Sequence, residues 1–268
     1  MPTYSCNRGE TPLVFKRGVL EEEAASRVGQ DRGPNVAHPP QSELAADNHV
    51  GHRERLRQRF LRAPSALADY EILEMLLFAA RTRGDTKPLA KALLAEFGSL
   101  GGVLGAEPSR LRATKGADSD AVIAALKLVQ EAAVRLARAE VMQRPIIASW
   151  QALIDYCQIA LSQNVNEQFR VLFLDRRNTL IADELQQEGT VDHTPVYPRE
   201  VLKRALELSA SAIIMVHNHP SGDPTPSKAD IEMTRQVRDA AKAVGISLHD
   251  HLVVGRGRHA SFKSLGLL

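Results

Sequence analysis

At Arg144–Pro145 the sequence changes its period, and that change limits the possible folds more than any composition figure does. Upstream, from about residue 51, apolar residues recur at helical spacing. HRERLRQRFLR (52–62) sets Leu56, Phe60 and Leu61 on one stripe among five arginines. ALADYEILEMLLFAARTR (66–83) reads as a strongly apolar helix that Asp69 can cap. TKPLAKALLAEFGSLGGVLGA (86–106) reads as a helix stopped at Gly98 and followed by a short turn. Residues 109–143 read as a short helix, a turn at Lys115–Gly116 and a long helix capped by Ser119 or Asp120.

Downstream of Pro145 helices and strands alternate. SWQALIDYCQIAL (149–161) predicts a helix, and 167–189 predicts two strands around an Asp-Arg-Arg-Asn turn. A helix over 198–210, a buried strand over 211–219, a long helix over 226–245 and a strand pair or strand and turn over 246–257 follow. The order α-β-β-α-β-α-β predicts an α/β (more narrowly α+β) mixed sheet flanked by helices. Three parts result: a tail over 1–50, where GPNVAHPPQSE cannot continue a helix, a compact all-α domain over 51–144, and a sheet domain over 145–268. A short helix around LEEEAASRV (20–28) is expected within the tail.

The apolar run Ile213-Ile214-Met215-Val216 leads straight into HNHPSGDPTPSKAD (217–230). Residues i and i+2 of a strand share a face, so His217 and His219 project together from a strand end. Pro220–Pro224 then turns the chain, and the next helix starts near Ser227 with Asp230 in its first turn. Two imidazoles and a carboxylate suit zinc with a fourth position left for water. Ser227-x-x-Asp230 also matches an acidic capping box, a bland alternative for these two residues, but paired histidines closing an apolar strand before a capped acidic helix start favour the metal reading. A hydrolytic metal needs a general base, and the upstream candidates are Glu167, Glu184, Glu188, Asp192 and Glu200. Glu167 stands slightly ahead, at the entry to the apolar strand FRVLFL.

The combination Glu167…His217-x-His219-x7-Ser227-x-x-Asp230 resembles the JAMM motif of MPN/JAB metalloproteases. GTV (189–191), PREV (198–201), HNHPSGDPTPS (217–227) and DH (250–251), with HRERLRQRF, DYEILEMLLF and FGSL upstream, resemble the RadC family over roughly residues 51–268. That resemblance implies an MPN/JAMM sheet, cytidine-deaminase-like in outline, preceded by a helix-hairpin-helix-like domain. It implies His217, His219 and Asp230 as ligands of one zinc ion per chain, with Glu167 deprotonating a bound water and Ser227 hydrogen-bonding near that water or the oxyanion. The implied reaction is hydrolysis of a peptide or isopeptide bond in a protein or peptide substrate. The alternative is a DNA-associated repair or recombination accessory protein in which the metal domain is structural or regulatory.

His249, Asp250 and His251 form a second polar cluster that can orient the ligands or simply end a strand. Asp223 reads as a turn former, and His193 and His259 as surface residues. The family's usual G-x-G hairpin is here Gly116-Ala117-Asp118, and its carboxylate opposes phosphate binding. Residues 51–144 nevertheless carry 16 Lys and Arg against 11 Asp and Glu, which leaves room for a weak nucleic-acid contact through Arg53, Arg55, Arg57, Arg59 and Arg62. A solvated helix face explains the same arginines. No apolar window is long enough for a membrane span, and MPTYSCNRGETPLVFKRG lacks a signal-peptide core, so a cytoplasmic protein is expected. The two cysteines, Cys6 and Cys157, suit a reducing compartment.

Overall fold

The computed structural model describes residues 41–142, 145–189 and 196–268, with side chains from Gly51 onward except that of Ile147. The helix expected over 20–28, Cys6, Asp192 and His193 lie outside these residues. The first helix, α1 (Gln41–Arg62), begins inside the stretch expected to be tail. Pro39 and Pro40 precede it, and no further proline interrupts the chain before Pro64, so the helix carries Gly51 at a cost of about 1 kcal/mol. Leu56 is buried, whereas Leu61 is 79% exposed, so the expected apolar stripe holds at Leu56 and fails at Leu61.

Five more helices follow: α2 (Asp69–Ala80), α3 (Lys87–Phe97), α4 (Leu100–Gly105), α5 (Pro108–Ala113) and α6 (Asp120–Met142). Asp69 does not cap α2. Ala68 holds the cap position, and its N–H donates to the Glu71 carboxylate (3.1 Å), which Arg59 also grips (2.7 Å). Gly98 ends α3 with φ +81°, but the expected turn after it is the helix α4, which Ser99 caps by accepting from the Gly102 N–H (3.0 Å). Leu73, Leu77, Leu89, Leu93, Val103, Leu111 and Leu126 form one core within these helices.

Helix α7 (Trp150–Leu161) opens the sheet region, and α6 packs along it. Strands β1 (Gln168–Leu174), β2 (Leu180–Glu188), β3 (Ala212–Asn218), β4 (Ser247–Gly255) and β5 (Arg258–Ser261) form one mixed sheet in the order β2-β1-β3-β4-β5. Only β3 and β4 run parallel, and the long helix α9 (Lys228–Ala243) makes the crossover between them. Helix α8 (Pro198–Glu207) joins β2 to β3.

Alternation along the strands feeds two cores. Leu172, Leu174, Ile214, Val216, Leu252 and Val254 face α7, joined by Val141 of α6. Phe169, Val171, Phe173, Ile213 and Met215 face α8 and α9. Every residue of β3 is therefore buried, which is why its sequence is a continuous apolar run rather than an alternation. Each fully buried aliphatic side chain contributes about 1.5–3 kcal/mol, so the apolar run that leads into His217 anchors this strand firmly in the sheet.

Candidate metal centre

His217 lies next to last in β3 and is fully buried, paired across the sheet with Phe169, on which its ring stacks at 6.2 Å. His219 follows one residue beyond the strand, its N–H donating to the Val254 carbonyl (2.9 Å). The two rings project to one side and bring their Nε2 atoms to 3.0 Å. Asp230 arrives from the first turn of α9, with Oδ1 3.5 Å from His217 Nε2 and Oδ2 3.5 Å from His219 Nε2. One ligand atom from each of the three lies within 4.8 Å of the others, and no other such histidine, cysteine or carboxylate group occurs among the described residues.

The capping box is real as well. Ser227 Oγ accepts from the Asp230 N–H (3.1 Å), and Asp230 Oδ2 accepts from the Ser227 N–H (2.7 Å). The two readings of Ser227-x-x-Asp230 are therefore one arrangement, in which capping fixes the carboxylate that faces the histidines. The loop between them turns at Gly222 (φ +85°) and at Asp223, whose carboxylate accepts from Thr225 N–H (3.2 Å) and Oγ1–H (2.9 Å). Asp223 is thus a turn former, and its carbonyl has a second use: it accepts from His219 Nδ1 (2.8 Å).

A carbonyl only accepts, so His219 Nδ1 carries a proton, and in the neutral ring its Nε2 presents a lone pair. Two imidazole nitrogens and a carboxylate, converging without an intervening donor, fit a metal ion. The Asp230 hydrogen bond, working against burial, raises the pKa of His219, and the charge of Glu167 adds to the effect. Burial pushes Asp230 up, but the facing imidazoles of His217 and His219, together with the Ser227 hydrogen bond, outweigh it and hold the carboxyl far below the usual range.

Glu167 is half-buried immediately before β1, and its carbonyl accepts from the Gly189 N–H (2.9 Å). The middle residue of His-Asn-His, passed over in the sequence, brackets it. Asn218 turns to the opposite face, where Oδ1 accepts from Gln168 N–H (2.9 Å) and Nδ2 donates to the carbonyls of Asn166 (3.0 Å) and Asn164 (3.3 Å). A polar residue in an otherwise buried apolar strand must find partners, and that was the available signal. Among the other acids, Glu184 is gripped by Arg204 (2.6–3.0 Å), whose hydrogen bonds lower its pKa. Glu200 pairs with Arg199 (3.1 Å), and Glu188 lies 3.4 Å from Gln168 Nε2.

The cluster at 249–251 divides. Ile213 pairs with Leu248 and Ile214 with Asp250, so His249 is the extra residue of a β-bulge. The bulge sends His249 to Asn178 (2.6 Å), while Asp250 accepts from Ser261 Oγ (2.5 Å) and the N–H groups of His251 (2.8 Å) and Lys263 (3.0 Å). Only His251 touches a site residue, with Nε2 2.8 Å from His217 Nδ1. Burial, then the neighbouring His217, pushes the His251 pKa well down.

In the helical region three of the five clustered arginines are engaged by the protein. Arg53 donates to the carbonyls of Thr82 and Gly84 (2.9 Å each), Arg57 lies over Phe78, and Arg59 pairs with Glu71. The hairpin turns at Gly116 (φ +90°), whose carbonyl accepts from Arg81 (2.8 Å), and Ala117 is buried. No described helix is long and apolar enough to cross a membrane.

The family model described as a RadC-like JAB domain matches residues 147–267. A UPF0758 protein of Rhodobacter capsulatus is 62% identical over 214 residues, which cover 80% of this chain and 100% of that relative.

Proposed function

This chain belongs to the RadC family, and from that premise we propose that it is a zinc-dependent hydrolase of JAMM type cleaving a peptide or isopeptide bond. The observation that carries the reading is the convergence of His217 Nε2, His219 Nε2 and Asp230 within 3.0–3.5 Å of one another. His217, His219 and Asp230 would hold one zinc ion, which supplies Lewis acidity and lowers the pKa of a bound water toward neutrality.

The chain's own groups supply the rest. Glu167, close enough to act on the charge of His219, takes the proton of the attacking water and delivers it to the leaving amine. Asn218 keeps the Glu167 segment in register with the strand that carries His217. Ser227 is exposed beside Asp230, and its hydroxyl, which accepts from the Asp230 N–H, keeps its own proton for the oxyanion. A structural metal site needs no such carboxylate beside it.

The test compares wild type with Glu167→Gln. Wild type should hold about one zinc per chain, and the variant should hold as much. Incubated with cell extract, wild type should create new peptide termini, read by mass spectrometry, that the variant and the chelated enzyme do not create. Identical termini in all three samples would sink the hydrolase reading.

A further inference from the structure

Thr234, in the second turn of α9, is 1% exposed, and its Oγ1 stands between two partners. The Asp230 carbonyl is 2.5 Å away and His251 Nδ1 is 2.7 Å away. His251 Nε2 in turn lies 2.8 Å from His217 Nδ1. We propose that Thr234 and His251 are positioning residues that, through one hydroxyl proton, hold His217 in the tautomer whose Nε2 lone pair faces His219 and Asp230. The proposal rests on the metal-site reading given above.

The direction of the chain follows from donor and acceptor bookkeeping. A carbonyl has no proton to give, so the single Thr234 hydroxyl proton goes to Asp230 O, the usual bond of a helical threonine to the carbonyl one turn back. The hydroxyl then meets His251 with a lone pair, which requires the proton on His251 Nδ1. A neutral His251 is left bare at Nε2 and accepts from His217 Nδ1–H. In the neutral ring, His217 with its proton on Nδ1 carries none at Nε2, the atom that faces the site.

Reversal has a specific consequence. If Thr234 donated to His251 Nδ1, His251 would donate from Nε2, and His217 would carry its proton on Nε2. That proton would point at Asp230 and close the site to a cation. The reversal would also set a hydroxyl lone pair 2.5 Å from the Asp230 carbonyl oxygen. Phe169 packs edge-on against His251 and Phe262 stacks on it at 4.5 Å, and both imidazoles are fully buried, so solvent has little access to supply other partners. The same hydroxyl thus ties the backbone of one ligand, Asp230 on α9, to the ring of another, His217 on β3, by way of β4.

The experiment reads imidazole ring nitrogen shifts in the metal-free protein and zinc affinity by competition with a chromogenic chelator. Wild type should show His217 as the Nδ1–H tautomer. Thr234→Val, which keeps the shape and removes the hydroxyl, should populate the Nε2–H form and weaken zinc about tenfold to a hundredfold, and Thr234→Ser should restore both. A wild-type His217 found mainly as Nε2–H overturns the proposal, and that spectrum needs no variant to fold. So does a Thr234→Val protein with unchanged His217 shifts and zinc affinity within about twofold of wild type. Failure of the wild-type protein to bind zinc overturns the metal-site reading instead, and is read separately from the tautomer.

Discussion

Gly255, the last residue of β4, supports the candidate metal centre from outside it. A Cβ placed there would lie 2.3 Å from the Gly222 carbonyl oxygen, 3.0 Å from its carbon and 2.9 Å from Pro224 Cδ. Ordinary contact begins near 3.4 Å, so Gly255→Ala forces backbone apart by about 1 Å. The loop cannot yield freely, because His219 N–H donates to Val254 O (2.9 Å), Gly222 N–H to His219 O (2.9 Å) and Arg256 N–H to Gly222 O (3.1 Å). The displacement passes to His219 and to the Asp223 carbonyl that orients its ring, where metal–ligand distances tolerate only about 0.2 Å. Overpacking of this kind costs about 1–3 kcal/mol, and zinc affinity should fall about tenfold to a hundredfold, the range seen when ligand orientation is lost. Urea unfolding of the metal-free protein and chelator competition measure the two effects. Gly245→Ala is the control: it strains a positive-φ glycine (+75°), unlike Gly255, but meets nothing within 4 Å, so it should cost about 1–2 kcal/mol and leave zinc binding unchanged. Equal zinc affinity in wild type and Gly255→Ala would refute this account of the loop.

Stability of the metal-free protein should peak near pH 6.5, the ordinary histidine value. Below it, His251 and His249, whose pKa values burial lowers, stay neutral while the unfolded chain binds protons, so stability falls as pH drops. Above it, His219, whose pKa the Asp230 hydrogen bond raises, keeps a proton that the unfolded chain has released, and that contribution disappears as pH rises through its folded pKa. Thermal melts across pH check this, and His219→Gln should flatten the alkaline side. Leu56→Ala should cost about 2–5 kcal/mol in denaturant unfolding because Leu56 is buried, whereas Leu61→Ala should stay within about 0.5 kcal/mol. Asp183, buried between Tyr156 Oη–H and Arg170 Nε (2.8 Å), should cost about 3–5 kcal/mol as Asp183→Asn, seen as a lowered Tm.

Most of the element order was legible because local period and punctuation are short-range signals. The β3 run, the Asp-Arg-Arg-Asn turn and the helix ending at Gly245 (φ +75°) all fall where periodicity and turn residues put them. Misreadings occurred where a residue's role depends on a neighbour far along the chain. Leu61 follows the helical stripe, yet no element among the described residues packs over it to bury it. Asp69 has the chemistry of a cap, yet Glu71, held by Arg59 of another helix, takes the bond from Ala68. The sequence could not show either that carbonyls at 82 and 84, the ring of Phe78 and the carboxylate of Glu71 engage three of the arginines of α1.

The candidate metal centre divides along the same line. The sequence alone determined that His217 and His219 share a side and that Ser227 and Asp230 begin a helix, because both follow from backbone torsions over two or three residues. Only the tertiary structure decided that Asp230 faces both histidines, that Asn218 brackets Glu167 across the sheet, and that His251 rather than His249 reaches His217. The last choice turns on a single bulged residue in the β3–β4 register. Register across a crossover is set by the summed packing of two cores, and no local pattern in the chain encodes it.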